Sequence, residues 1–139
     1  MDDAAERVRA MLRKPYARLF GFELVEAKAG AVTLGLPYRE SLGHAPDWFE
    51  GVVTSAIATL AASYSGNTAA TAGWGHLVIE QSVQFVGPAS GDRLVALGEV
   101  IAAGKTISHC ASQTFVERDG ARHLCARSAL TMRHLPPRD

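Results

Sequence analysis

The hydrophobic and polar positions change period along the chain. Residues 3–13, DAAERVRAMLR, set Ala4, Val8, Met11 and Leu12 on one stripe at helical spacing, and Pro15 ends the pattern near Lys14. The next stretch, YARLFG, fits a short turn closing at Gly21. FELVEAK and AVTLGLP flank Ala29-Gly30 and predict a two-stranded hairpin. Residues 38–48 predict an irregular loop with Gly43 and Pro46. Residues 47–66, DWFEGVVTSAIATLAASYSG, then predict one long helix. Val52, Val53, Ala56, Ile57, Leu60 and Tyr64 form its apolar stripe; Ser55, Ala58, Thr59, Ala62 and Ser63, none large or charged, form its other side. A turn-rich patch, SGNTAATAGWG, follows. From Gly75 onward the period is two: HLVIEQSVQFV alternates, with Leu77, Ile79, Val83 and Phe85 on one face, before Pro88 and Gly91 break it. DRLVALGEVIAA, KTISHCASQTFVER and ARHLCARSALTMRHL continue as strands, the last two joined by Asp119-Gly120, a strong hairpin signal.

Strands in runs, rather than interleaved with helices, make this an α+β protein in which one sheet covers one long helix. The expected organisation is a single domain over residues 1–139, with an N-terminal helical segment at 1–20 and a frayed tail at 135–139. A helix without a solvated charged face is surrounded on most sides. Its small side chains let a sheet approach closely, and the face left over is expected to touch a partner subunit.

Composition narrows the functional classes. Of 139 residues, 47% are hydrophobic and 20% charged, and 14 basic side chains balance 14 acidic ones. That balance offers no general attraction to nucleic acid or to an anionic membrane, and it favours self-association. The N-terminus does not read as a signal peptide, and no apolar run approaches the roughly 20 residues needed to span a bilayer. Cys110 and Cys125 lie in strand-like segments and are expected as buried free thiols, consistent with a cytoplasmic location. His76, His109, His123 and His134 lack metal-ligand spacing and are expected on partly solvated strand faces. No G-x-S-x-G elbow supports a serine triad.

The helix start carries the chemistry. Asp47 and Glu50 stand as a D-x-x-E analogue of the capping box, and Gly51 permits close backbone approach. First-turn amides lack partners within the helix, so this end can hold a carbonyl oxygen that becomes negative during acyl transfer.

FEGVVTSAIATLAASYSG, VIEQSVQFVGPASGDRLVALGEVIAAGKT and DGARHLCARSALTMRH together resemble hotdog-fold acyl-CoA thioesterases of the phenylacetate-degradation branch and the related hydroxybenzoyl-CoA enzymes. The likeness covers roughly residues 16–134. It implies an antiparallel sheet wrapped around one long helix, paired into a homodimer or a dimer-of-dimers tetramer. It also implies an acyl-CoA substrate at the dimer interface and no metal or redox cofactor, coenzyme A entering only as part of the substrate. The family's first His or Gln falls on Glu50, its first Gly on Gly51 and its second on Val52. Its mid-helix carboxylate falls on Thr59, and an upstream Asn or Gln falls on His44. Pro88 matches the family's Phe-x-x-Pro-Ala step, and Lys105 follows Gly104 where members often place a basic residue near the CoA phosphates.

A threonine hydroxyl cannot be a general base near neutral pH. Glu50 is nine residues from Thr59, on the opposite helix face and about 13 Å away along the axis. Across a dimer the two can meet. Glu50 would then activate water, Thr59 would position it, Gly51 would donate to the oxyanion, and His44 would orient Glu50 or share its proton. Beside these roles stand plainer ones: Glu50 completing the capping box with Asp47, Thr59 bonded to the carbonyl four residues back, His44 in a local hydrogen bond, Lys105 merely exposed. Trp48, Phe49 and Tyr64 either line an acyl pocket or pack the core. The leading expectation is hydrolysis of an aryl or medium-chain acyl-CoA. A non-catalytic acyl-CoA-binding protein is the alternative. A hotdog dehydratase comes third; only GHAP resembles its loop, and its glutamate would fall near Ala56.

Overall fold

A computed structural model describes residues 3–138. Helix α1, Ala4–Leu12, starts where the Asp3 carboxylate accepts the Ala5 N–H at 2.9 Å, and it buries Val8 completely. Helix α2, Pro15–Phe20, opens on proline and closes at Gly21 in the left-handed conformation, φ 85°. Strands β1, Glu23–Lys28, and β2, Ala31–Pro37, form the expected hairpin.

The loop at 38–48 is more ordered than expected. A short 3₁₀ turn, Glu40–Leu42, leads into a small hairpin of β3, Gly43–Ala45, and β4, Trp48–Phe49. Asp47 sits between these two strands with φ 62°, a left-handed conformation that aspartate tolerates. It therefore belongs to a hairpin and does not cap the long helix.

That helix, α3, spans Gly51–Ala69, so residues 67–69, expected as turn beyond the helix end, are helical. Two contacts carry it past Gly66. Ser65 and Thr68 each donate a side-chain hydroxyl to the carbonyl three residues back. The Arg7 guanidinium, arriving from α1, donates to the terminal carbonyls of Asn67 at 2.5 Å and Ala70 at 3.1 Å.

Strands β5, Gly75–Phe85; β6, Arg93–Ala102; β7, Ile107–Arg118; and β8, Ala121–Leu135 complete a six-stranded antiparallel sheet in the order β1-β2-β6-β7-β8-β5. Asp139 of the expected tail lies outside the described residues. Helix α3 packs across one face of this sheet, mainly on β6, β2, β7 and β8. The helix lies very near β6: a Cβ on Gly98 would enter the Ala61 carbonyl and stand 2.7 Å from the Ala62 nitrogen. Ala58, Ala61 and Ala62 are fully buried. Small residues are there because backbone meets backbone.

Two of the expected faces shift. Val52 leaves the apolar stripe and is 72% exposed, while Ala58 and Ala62 from the other side are buried. In β5 a register shift between Val78 and Glu80 changes the alternation. Leu77 therefore sits opposite exposed Arg133 on the outer face, whereas Val83 and Phe85 sit opposite buried Ser128 and Ala126 on the helix face. Both cysteines are free and buried. His134 is only 2% exposed, not partly solvated as expected.

Candidate active site

The backbone carbonyl of Glu50 accepts the Val53 and Thr54 amides at 3.0 and 3.1 Å, and its side-chain Oε1 accepts the Gly51 N–H at 2.9 Å. Glu50 is thus the N-cap itself, not the second member of a capping box begun by Asp47. Its second oxygen, Oε2, lies 3.3 Å from His44 Nδ1, with both side chains about half exposed. The structure brings Glu50, Gly51 and His44 together. The small hairpin fixes them: Tyr38 donates its hydroxyl to the Ala45 carbonyl at 2.9 Å, and the Glu50 amide donates to Leu42 at 3.0 Å. A depression of about 620 Å³ opens beside them, lined by Tyr38, Glu40, His44 and Asp47 among others.

Two features of Gly51 differ from expectation. Its N–H is already engaged by the Glu50 carboxylate. A Cβ there would meet only the Phe85 ring, at an ordinary 3.7 Å, so no crowding within this chain demands glycine. Among the described residues the Val52 amide, next in the first turn, has no protein acceptor.

Thr59 does not bond the carbonyl four residues back. It donates its hydroxyl to Gln81 Oε1 at 2.7 Å. Gln81 was missed in the sequence, because its face of β5 is set by the register shift two residues before it. With Oε1 accepting, the Gln81 amide nitrogen keeps both hydrogens.

Pro88, Gly104 and Lys105 do not form one cluster. Pro88 follows β5 at the helix start, beside Ala89, whose carbonyl accepts the Phe49 amide at 3.0 Å. Gly104 and Lys105 lie in the β6–β7 turn, where His134 donates its amide to Thr106; His134 pairs with His76 at the other end of β5. The length of β5 separates the two places by about 30 Å. A Cβ on Gly104 would strike the Ile107 carbonyl, so that glycine serves the turn; Lys105 is exposed.

Phe49 and Tyr64 belong to the core, at 2% and 3% exposure, while Trp48 is exposed. Tyr64 still reaches a cavity of about 270 Å³ one helical turn beyond Thr59, lined also by Tyr16, Leu60, Ser63, His76 and Val78. The Tyr16 and Tyr64 hydroxyls are 2.6 Å apart, and burial pushes the Tyr64 phenol well up from its usual value. Beside this cavity His76 Nδ1 meets His134 Nδ1 at 2.8 Å, and His134 Nε2 meets Ser108 Oγ at 2.7 Å. Burial, with help from His134 and Arg7, lowers His76 to about 4, and burial also lowers His134, so both rings are neutral near pH 7. Among the described residues no three His, Cys, Asp or Glu side chains are grouped to hold a metal ion, and no helix is long and apolar enough to cross a membrane.

No family model and no curated protein sequence matches the chain. Solved structures do. A thioesterase family protein from Silicibacter pomeroyi superposes with a TM-score of 0.91 at 24% identity, covering 96% of this chain and 99% of its own. A thioesterase from Haemophilus influenzae gives 0.87 at 16% identity, covering 100% and 95%. The PaaI protein of the E. coli phenylacetic acid degradation operon gives 0.81 at 15% identity, covering 96% and 94%. The α+β architecture of this chain is the hotdog fold of those structures, as the resemblance implied.

Proposed function

We propose that the protein hydrolyses an acyl-CoA thioester, with an aryl or medium-chain acyl group, at a site shared by two copies of the chain. The observation that carries this reading is the Glu50 carboxylate, held at the start of α3 between the Gly51 amide and His44, in a fold shared with thioesterases. Glu50 accepts a proton from water as the water oxygen bonds to the thioester carbon. The carbonyl oxygen becomes an oxyanion beside the helix N-terminus, where the Val52 amide is open and the Gly51 amide becomes so once Glu50 turns toward the water. The C–S bond then breaks. Glu50, with His44 beside it, returns the proton to the departing sulfur, leaving a carboxylic acid and free coenzyme A.

The partner is a second copy, in a homodimer or a pair of dimers. Support comes from β5, an edge strand that exposes Leu77, Ile79 and Phe85, and from the uncharged face of α3 beside it. Edge strands of monomers are normally guarded by charge or proline. The chemistry requires no metal or redox cofactor, and we assign it to the cytoplasm, where two buried thiols stay reduced. Lys105 of the partner subunit is free to meet CoA phosphates.

A second reading keeps the fold and the ligand but drops turnover. It is favoured by Thr59, which offers no base at the helix midpoint, and by the Gly51 amide being closed by Glu50. Thiol release from a panel of acyl-CoAs separates the two. Hydrolysis by the native protein, with kcat reduced by about 10²–10⁴ in Glu50→Gln, supports the proposal. Equal kcat in both proteins removes Glu50 from the mechanism, and binding without turnover favours the second reading.

A further inference from the structure

Two rungs mark where α3 and β5 run close: at one, a Cβ on Gly51 would lie 3.7 Å from the Phe85 ring; at the other, Thr59 bonds Gln81. Eight helical residues rise about 12 Å and four strand residues about 13 Å, so helix and strand run side by side in opposite directions. The two rungs lie symmetrically about Val83, two strand residues to either side. If β5 pairs antiparallel with its copy about Val83, Gln81 stands opposite Phe85 of the partner subunit. The partner's first rung, with the partner subunit's Glu50, then falls beside Thr59 and Gln81.

We infer that Gln81 is a positioning residue of this shared site: its carboxamide N–H holds the lytic water that the partner subunit's Glu50 deprotonates. The inference rests on the hydrolytic reading above and adds a residue and a register to it. Thr59 spends its hydroxyl hydrogen on Gln81 Oε1, which turns the amide nitrogen outward and leaves a lone pair on Thr59 Oγ1. The water gives one hydrogen to the partner subunit's Glu50 and one to Thr59 Oγ1. It accepts from Gln81 Nε2 on one lone pair and attacks the thioester carbon with the other. Every valence of the nucleophile is then directed, which is what an acid-free helix midpoint needs.

The test uses three variants. Gln81→Ala is expected to lower kcat by about 10–100-fold with KM within about twofold. Gln81→Glu keeps the side-chain length and an acceptor for Thr59 but has no N–H when ionised, so it is expected to lose kcat equally. A purely structural Gln81 would be rescued by it. Hybrid dimers are then made by co-expressing Glu50→Gln and Gln81→Ala chains with different tags and purifying on both. One of the two sites in each hybrid carries intact Glu50 and Gln81, so about half the native kcat per dimer is expected from two nearly inactive parents. Hybrids no more active than their parents, or a Gln81→Glu variant with native kcat, overturn the inference while leaving hydrolysis by Glu50 standing. A native protein that turns over no acyl-CoA overturns both.

Discussion

Of the glycines, Gly98 is where an added Cβ would come nearest another atom, and Gly98→Ala measures how closely the sheet holds α3. An ideal Cβ there would overlap the Ala61 carbonyl and stand 2.7 Å from the Ala62 nitrogen, against an ordinary approach of about 3.3–3.6 Å. Both obstacles are backbone in mid-helix, so no rotamer change relieves them. The helix must retreat locally by about 1 Å, which loosens Ile57, Ala61 and Ala62, all fully buried. Overpacking of this kind costs typically 1–3 kcal/mol, and rigid neighbours put it at the upper end, about 3 kcal/mol or more. For a chain of this size that lowers Tm by about 10 °C. Gly75→Ala is the control, because a Cβ there meets only Leu135 at 3.7 Å. Thermal unfolding followed by circular dichroism is the assay. A Gly98→Ala protein melting within about 2 °C of native would refute the claim that the helix backbone rests on β6.

Arg7→Ala is expected to destabilise the fold by about 1.5–3 kcal/mol in urea titration, because it strands the carbonyls that end α3; Arg7→Lys should recover only part, since an ammonium cannot span both. Acidification should destabilise the protein between pH 6.5 and about 4: the unfolded chain takes up a proton on His76 near 6.5, the folded chain only near 4, so this stability is complete above 6.5 and is lost across that window. His76→Asn should flatten that dependence in unfolding curves collected at several pH values. Ile79→Asp with Val86→Asp, both at exposed positions along and just after β5, should give a monomer by light scattering, with native far-UV dichroism and no turnover.

Most of the fold could be read along the chain because the change from helical spacing to alternation is abrupt at Gly75. The misreadings have tertiary causes. Asp47 resembled a helix cap, but the hairpin of β3 and β4 holds it in a left-handed turn, and the cap passes to Glu50. Gly66 and Asn67 resembled a helix end, yet Arg7, sixty residues away, satisfies the carbonyls that would otherwise face water. Alternation in β5 was interrupted by a shift that local sequence does not mark. Of the candidate site, Glu50 and His44 were legible because both sit in one short segment leading into the helix. Gln81 was not, because its role depends on a long-range contact with Thr59. Pro88 and Lys105, each matched to the family through its own sequence step, lie near opposite ends of β5.

A crystal structure with a thioether analogue of an acyl-CoA, in which a methylene between sulfur and carbonyl removes the scissile thioester C–S bond, tests the shared site most directly. The expected result is an analogue whose reacting carbon lies within about 4 Å of a position bounded by Glu50 of one subunit and by Thr59 and Gln81 of the other. An analogue held wholly within one chain, with Glu50 still closed on the Gly51 amide and far from the thioether, would contradict it.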